Sequence, residues 1–114
     1  MGKLTVSFEI AWEDTQNGRD DYRRIYDALN EAIKNRLDPL DWWAENTSFY
    51  VIRSEETPSA FLVRVWNASG MRSGKDRIVV TDPYSGNGAA FGHFEDETLF
   101  SLLPDVRRLE AKKR

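Results

Sequence analysis

Apolar residues occupy alternate positions near the beginning of the chain, at Leu4, Val6, Phe8, Ile10 and Trp12. Mostly polar residues lie between them. A strand with this period of two buries one face and leaves the other face free. The alternation therefore predicts a half-buried β-strand over Lys3–Trp12, and it restricts the fold to one that is built around a sheet.

Two later segments carry apolar residues at helical spacings of three and four. In the first helix these residues are Tyr22, Ile25, Tyr26, Leu29, Ala32 and Ile33. The second helix is predicted after Thr57-Pro58, a typical helix start, and Gly70 is its expected end. The stretch Phe61–Trp66 contains two valines, so a strand is the alternative there. The capping signals and the lack of alternation favour a helix.

The remaining apolar segments complete the order of elements. Strands are predicted at Asp41–Ala44, Ser48–Arg53 and Arg77–Asp82. The glycine-rich stretch Ser85–Gly92 predicts a turn, and Thr98–Leu109 predicts a last helix that bends near Pro104. The resulting order indicates an α+β sandwich, with two helices on one face of a four-stranded antiparallel sheet and a C-terminal helical appendix.

Length and charge limit the classes of function. The 114 residues fit one domain over 1–114, and there is no cysteine and no apolar run of the roughly 18 residues that a membrane span needs. We therefore expect a cytoplasmic protein without membrane contact. The net charge is −3, but the tail from residue 107 holds five basic residues and one acidic residue, so residues 1–106 carry −7. An acidic body disfavours broad binding to duplex nucleic acid.

The basic tail contains Arg107, Arg108, Lys112, Lys113 and Arg114. Such a cluster is able to contact a phosphate backbone. The alternative is a solvated helix end or a free terminus, because basic side chains suit helix C-termini. We consider the alternative the stronger of the two.

Adjacent tryptophans indicate a second apolar surface. Trp42 and Trp43 point to opposite faces of their predicted strand, so one of them should lie on the face that the helices leave open. Beside Phe49 or Val51 it would form an apolar patch that a small monomer rarely exposes. The sequence thus predicts a homodimer that pairs through this face.

Several short motifs resemble one known group. They are Phe8-Glu9-Ile10, Asp21–Leu29, Trp42-Trp43, Ser48–Val51, Asp76–Val80 and Gly88–Gly92. Together they resemble the SinR-like proteins, which are related to the small CRISPR adaptation subunit and to VapD-like ribonuclease toxins. The resemblance spans residues 3–92. It implies a ferredoxin-like βαββαβ fold and a homodimer.

The resemblance also implies a candidate catalytic and metal-binding residue. In the CRISPR subunit, an aspartate at the end of the first strand meets its copy at the dimer interface and is assigned to metal binding. Here that position is Glu9, whose carboxylate is able to hold Mg²⁺ or Mn²⁺. Asp82, at the end of a predicted strand, is a second candidate ligand. The alternatives for Glu9 are a solvated carboxylate on the strand or an ion pair with Arg53, and the alternative for Asp82 is a turn that starts at Asp82-Pro83.

Two other features favour ordinary structural roles. His93 is the only histidine, and histidine metal sites usually need at least two. The spacing of Gly86, Gly88 and Gly92 does not match a dinucleotide or phosphate loop. Neither feature therefore predicts a catalytic site or a cofactor.

Two functions of different class follow. The first is a SinR-like scaffold or binding module with a protein or nucleic-acid partner. The second is a metal-dependent endoribonuclease that uses Glu9. A third and weaker interpretation is an antitoxin-like or phage-defence binding module. A single glutamate without a neighbouring acidic or histidine partner favours the module over the enzyme.

Overall fold

The computed structural model describes residues 2–35 and 37–109 of the chain. Its three α-helices are α1 (Gln16–Lys34), α2 (Pro58–Ser69) and α3 (Thr98–Leu102). Its six strands are β1 (Lys3–Glu9), β2 (Trp42–Trp43), β3 (Phe49–Arg53), β4 (Arg77–Thr81), β5 (Gly88–Gly92) and β6 (Val106–Arg108). A short 3₁₀ turn over Pro39–Asp41 precedes β2.

The strands form one mixed sheet in the order β2-β3-β1-β4-β5-β6. Neighbours are antiparallel except for β5 and β6, which are parallel. The α+β class predicted from the sequence is confirmed. The prediction of a four-stranded, wholly antiparallel sheet is wrong, because two further strands extend it beyond β4.

The two missed strands lie where the sequence predicts a turn and a helix. Four of the five residues of β5 are glycine or alanine, and a Cβ atom on Gly88 would lie 2.6 Å from the carbonyl oxygen of Val80. Small residues therefore allow β5 to fit closely beside β4. In the C-terminal segment, α3 ends at Leu102 and Pro104 follows, so the chain turns and adds β6 instead of continuing a helix.

Helices α1 and α2 cover one face of the sheet. Thr15 and Thr57 cap them, accepting hydrogen bonds from the backbone N–H of Gly18 and Ala60. The helix over Phe61–Trp66 is confirmed. The start of α1 lies earlier than its apolar spacing suggests, at Gln16. The largest fully buried side chains between helices and sheet are Phe61, Ile25, Leu29, Ile33, Ile52 and Leu62.

The second face of the sheet is covered at one side only. Ala90 of β5 points to this face and is fully buried, and Arg108 of β6 lies over the rings of Phe94 and Phe100, 5.4 Å from each centroid. The segment through α3 therefore covers the β5–β6 side. The side chains of β2, β3, β1 and β4 form what we call the open face: Trp43, Phe49, Val51, Arg53, Lys3, Thr5, Ser7, Glu9, Arg77, Val79 and Thr81.

None of the helices in the described ranges has both the length and the apolar character needed to cross a bilayer. The one long helix, α1, has a strongly amphipathic pattern and packs one side against the sheet.

Candidate functional site

The strand registers arrange the open face into rows that run across the sheet. One end row contains Arg53 and Lys3, which lie opposite each other on β3 and β1. The opposite end row contains Glu9 and Arg77, paired between β1 and β4. Two rows lie between these ends. The row next to Lys3 holds Trp43, Val51, Thr5 and Thr81, and the row next to Glu9 holds Phe49, Ser7 and Val79. The charged residues therefore lie at the two ends, and the apolar residues lie between them.

Two aromatic rings form the centre of the apolar part. Trp43 retains 42% of its surface in solvent. Its ring centroid lies 6.5 Å from that of Phe49, at an interplanar angle of 75°. Aromatic pairs favour this edge-to-face arrangement. With the half-buried Val51 beside them, the two rings form an apolar surface that faces outward.

The prediction that the two tryptophans point to opposite faces is confirmed. Trp42 lies on the helix side, where the ammonium group of Lys34 is 4.5 Å from its ring centroid and Tyr50 is 6.1 Å away. Both Trp42 and Trp43 are interface candidates by sequence, because either one could occupy the open face. The structure places only Trp43 there, so Trp42 is not an interface residue.

Glu9 forms an ion pair with Arg77, its direct neighbour on β4, and not with Arg53. The Glu9 side chain is 61% exposed and that of Arg77 40% exposed. Arg53 instead contacts Asp41, with 3.5 Å between Nη1 and Oδ1. Each arginine of the open face therefore has a carboxylate partner, which leaves little excess positive charge to attract a phosphate backbone.

Lys3 differs from these arginines. Its ammonium group lies 5.5 Å from the ring centroid of Tyr84, in a cation–π contact. Among the described residues, no carboxylate lies within ion-pair distance of Lys3. One end of the open face thus carries an unneutralised positive charge.

Asp82 lies at the other end of β4 from the Glu9 pair. Arg77 is the partner of Glu9 across the strands, and Asp82 lies five residues after Arg77. The Glu9 and Asp82 positions are therefore separated by roughly 16 Å along the strand. Asp82 accepts hydrogen bonds from the backbone N–H of Tyr84 at 2.8 Å and of Ser85 at 3.3 Å. The bond from Tyr84, with further bonds from Ser85, lowers the pKa of Asp82. Asp82 therefore begins a turn, which is the role that the sequence offers as the alternative to a metal ligand.

A divalent metal does not fit these residues within one chain. The Glu9 carboxylate is already bound by Arg77 through one of its two oxygens, so a single oxygen remains for a metal ion. In residues 2–35 and 37–109, no group of three or more His, Cys, Asp or Glu side chains is arranged to hold a metal ion.

The proposed nucleic-acid tail is only partly described. Arg107 and Arg108 belong to β6, and Arg108 forms an ion pair with Glu97. Lys112, Lys113 and Arg114 lie outside the described residues. His93 is half-exposed, with its Nε2 atom 3.9 Å from Glu95.

A groove of about 690 Å³ lies at the end of the molecule where α1 and β3 finish and α2 begins. Ile33, Ile52 and Phe61 line its floor. Its Arg64 is held by both carboxylate oxygens of Glu56 and donates to the carbonyl of Ala32. The charged groups there bind one another, so the groove is a weaker candidate than the open face.

Sequence reasoning missed Arg77 as the partner of Glu9. A carboxylate and a guanidinium on neighbouring strands are a common cross-strand pair, but only the register identifies which residues meet. The open face is the candidate site because it combines the exposed ring of Trp43 and the half-buried ring of Phe49 with charges at its two ends. The sequence matches no protein-family model, no curated protein and no solved structure.

Proposed function

We propose that this chain is a small homodimeric binding module of SinR-like type, which pairs with a second copy of itself through the open face. The observation that carries the proposal is the outward-facing pair of Trp43 and Phe49. Exposed apolar surface of this kind is characteristic of interfaces, and aromatic residues are enriched at their centres.

The topology supports a ferredoxin-like core. The elements β1-α1-β2-β3-α2-β4 follow the βαββαβ order, and their strands lie in the order β2-β3-β1-β4 with both helices on one face. In this interpretation β5, α3 and β6 are an extension added to that core. A ferredoxin-like core has one sheet face without helices, which is the face that the proposal assigns to pairing.

The charge distribution favours a copy of the chain over a nucleic acid as the occupant. Arg53 and Arg77 each have a carboxylate partner. An apolar part with charged residues at its two ends, of which both arginines are paired with carboxylates, resembles the core and rim of a protein interface. The proposal includes no cofactor, and the expected cytoplasmic location belongs to it. A protein or nucleic-acid partner would then bind to the dimer elsewhere.

Sedimentation equilibrium tests this proposal. We expect the wild-type chain to associate over a concentration series of about 5–500 μM, because an interface limited to the four strands of the open face is smaller than a standard one and therefore weak. Trp43→Asp should remain folded by circular dichroism but sediment as a monomer, since a carboxylate would be buried in the apolar part of the interface.

Val63→Asp is the matched control. Val63 is 47% exposed on α2, which covers the opposite face of the sheet, so its substitution should leave the association unchanged. A wild-type monomer at the highest concentration would contradict the proposal. So would Trp43→Asp and Val63→Asp proteins that associate equally well.

The second candidate is a metal-dependent endoribonuclease. The exposure of Glu9 on the open face is the observation that favours it, and the bond to Arg77 opposes it. Structured and unstructured RNA should be incubated with Mg²⁺ or Mn²⁺ and the wild-type, Glu9→Gln or Glu95→Gln protein. If the wild-type and Glu95→Gln proteins cleave RNA and the Glu9→Gln protein does not, the endoribonuclease replaces the binding module as the favoured function. Absence of cleavage in all three leaves the binding module as the proposal.

A further inference from the structure

We infer that the two copies stack about a twofold axis that runs across the strands, so that each Lys3 lies beside Glu9 of the partner subunit. This inference rests on the proposed homodimer and specifies how its two faces meet. It follows from the distribution of charge along the strands and from the shapes of the apolar side chains.

The two ends of the open face differ in charge. The end with Lys3 and Arg53 carries two cations on its strands, and only Arg53 has a carboxylate nearby, Asp41. The other end carries the Glu9–Arg77 pair, in which the Glu9 carboxylate remains more than half exposed. The face therefore has a positive end and an end that presents an accessible negative group.

Two sheets that pack face to face with aligned strands have two possible twofold axes. An axis along the strands places each row over the same row of the second copy. Lys3 and Arg53 would then face the same two cations, which is unfavourable in an interface that excludes water. An axis across the strands reverses the strand direction and places the positive end over the end with Glu9.

The axis across the strands also suits the apolar residues. It keeps the order of the strands, so that β1 lies over β1 of the second copy and β3 lies over β3. Phe49 then lies over Val51 of the partner subunit, and the reverse contact forms by symmetry. The axis along the strands that opposes the cations runs between β3 and β1, and it would instead put Phe49 over Ser7 of the partner subunit. Contact between two apolar side chains of matching shape therefore favours the axis across the strands.

This arrangement separates the two Glu9 residues. Lys3 and Glu9 lie six residues apart on β1, or roughly 20 Å. The two Glu9 carboxylates of the dimer would therefore lie at opposite ends of the interface. The resemblance to the CRISPR subunit implies the contrary arrangement, in which the two carboxylates meet.

The footprint of the interface is small. Strands β2, β3, β1 and β4 contain two, five, seven and five residues, which gives roughly 300 Å² of projected sheet area per copy. A standard interface buries about 800 Å² of accessible surface per partner. We therefore expect a weak dimer whose orientation is decided by few groups. In such a dimer, one misplaced charge changes the affinity measurably.

Carbodiimide cross-linking tests the arrangement directly, because this reagent joins an amine to a carboxylate without a spacer. Lys3 and Glu9 of one chain are too far apart to be linked in this way. A mixture of isotopically light and heavy wild-type chains should yield a cross-linked Lys3–Glu9 peptide of mixed mass. The Trp43→Asp protein should not yield it.

Charge reversal provides the second measurement. With the inferred axis, Lys3→Glu brings two carboxylates together at each end and should weaken the dimer by about tenfold. With the other axis, the same change would relieve repulsion between cations and strengthen the dimer. Arg23→Glu, on the exposed side of α1, is the charge-matched control and should have no effect.

The outcomes separate the inference from the proposed function. A wild-type dimer without the Lys3–Glu9 cross-link, or one that Lys3→Glu strengthens, overturns the orientation and leaves the homodimer intact. A wild-type chain that stays monomeric overturns both. A mixed-mass Lys3–Glu9 peptide together with a weaker Lys3→Glu dimer supports the inferred axis.

Discussion

The buried carboxylate of Asp76 accepts two hydrogen bonds from the guanidinium group of Arg72, each 3.0 Å long. It also accepts bonds of 2.8 Å from the backbone N–H groups of Ala11 and Arg72. These bonds connect the chain after β1 to the loop before β4. They thereby fix the end of the open face at which Glu9 meets Arg77.

Removal of this carboxylate should destabilise the fold strongly. Asp76→Ala leaves the Arg72 guanidinium and two backbone N–H groups without their acceptor, so we expect a loss of about 3 kcal/mol in the free energy of unfolding. Urea denaturation followed by tryptophan fluorescence measures it. Asp38→Ala, at an exposed aspartate without a capping hydrogen bond, is the control and should change the free energy by less than about 0.5 kcal/mol.

The same carboxylate should make the fold sensitive to acid. Burial raises the pKa of Asp76, but the bonds from Arg72 and Ala11 outweigh it, and the net pKa is lowered. Because this pKa is lower in the folded state than the value of about 4 in the unfolded state, the ionised carboxylate stabilises the fold above that pH. The stabilisation is lost as the pH falls from about 4 through the pKa of the folded state. Urea midpoints at pH 6 and about pH 3 should therefore differ more in the wild type than in Asp76→Asn. Equal differences in the two proteins would contradict this assignment.

Tyr50 should affect stability at high pH. Burial, with a smaller contribution from Tyr26, raises the pKa of Tyr50 to about 12. Since the folded state holds the proton more tightly, this contribution is complete below the unfolded pKa of about 10 and is lost as the pH rises towards 12. A spectrophotometric titration should show one phenol that ionises near pH 12, and this step should be missing in Tyr50→Phe. The variant also loses the hydrogen bond to Asn30, at a cost of about 1 kcal/mol.

Gly92 should not tolerate a side chain. Its φ angle is +115°, and a Cβ atom there would lie 2.0 Å from the carbonyl oxygen of Asp76. We expect Gly92→Ala to lower the free energy of unfolding by about 3 kcal/mol or more, or to prevent a cooperative transition. Gly74→Ala provides the comparison, because nothing lies within 4 Å of its Cβ position. A Gly92→Ala protein as stable as Gly74→Ala would show that this backbone conformation is not required.

The parts of the fold that follow local rules were predictable. Alternation identifies β1, and the Thr57 cap with Gly70 delimits α2, whose C-cap has a left-handed φ of 78°. Strand β5 escaped prediction because it is buried on both faces beside β4 and uses alanine and glycine in place of β-branched residues. Strand β6 escaped because its pairing with β5 depends on a long-range contact, not on its own sequence.

The candidate site was predictable to a similar extent. Alternation predicts that Trp42 and Trp43 point to opposite faces of the sheet and that Glu9 points away from the core. The structure agrees on both points. The separation of Glu9 from Asp82 depends on how β1 is aligned with β4. A shift in that alignment would change every neighbour on the face, and no local pattern encodes it.

The sheet ends on both sides in very short strands, two residues in β2 and three in β6. A strand of this length offers few free backbone groups to template the addition of another chain, and Arg107 and Arg108 add charge on the β6 side. Growth into fibres by edge-to-edge addition is therefore suppressed at both margins. The molecule is able to carry an apolar surface at high concentration with little risk of open-ended polymerisation.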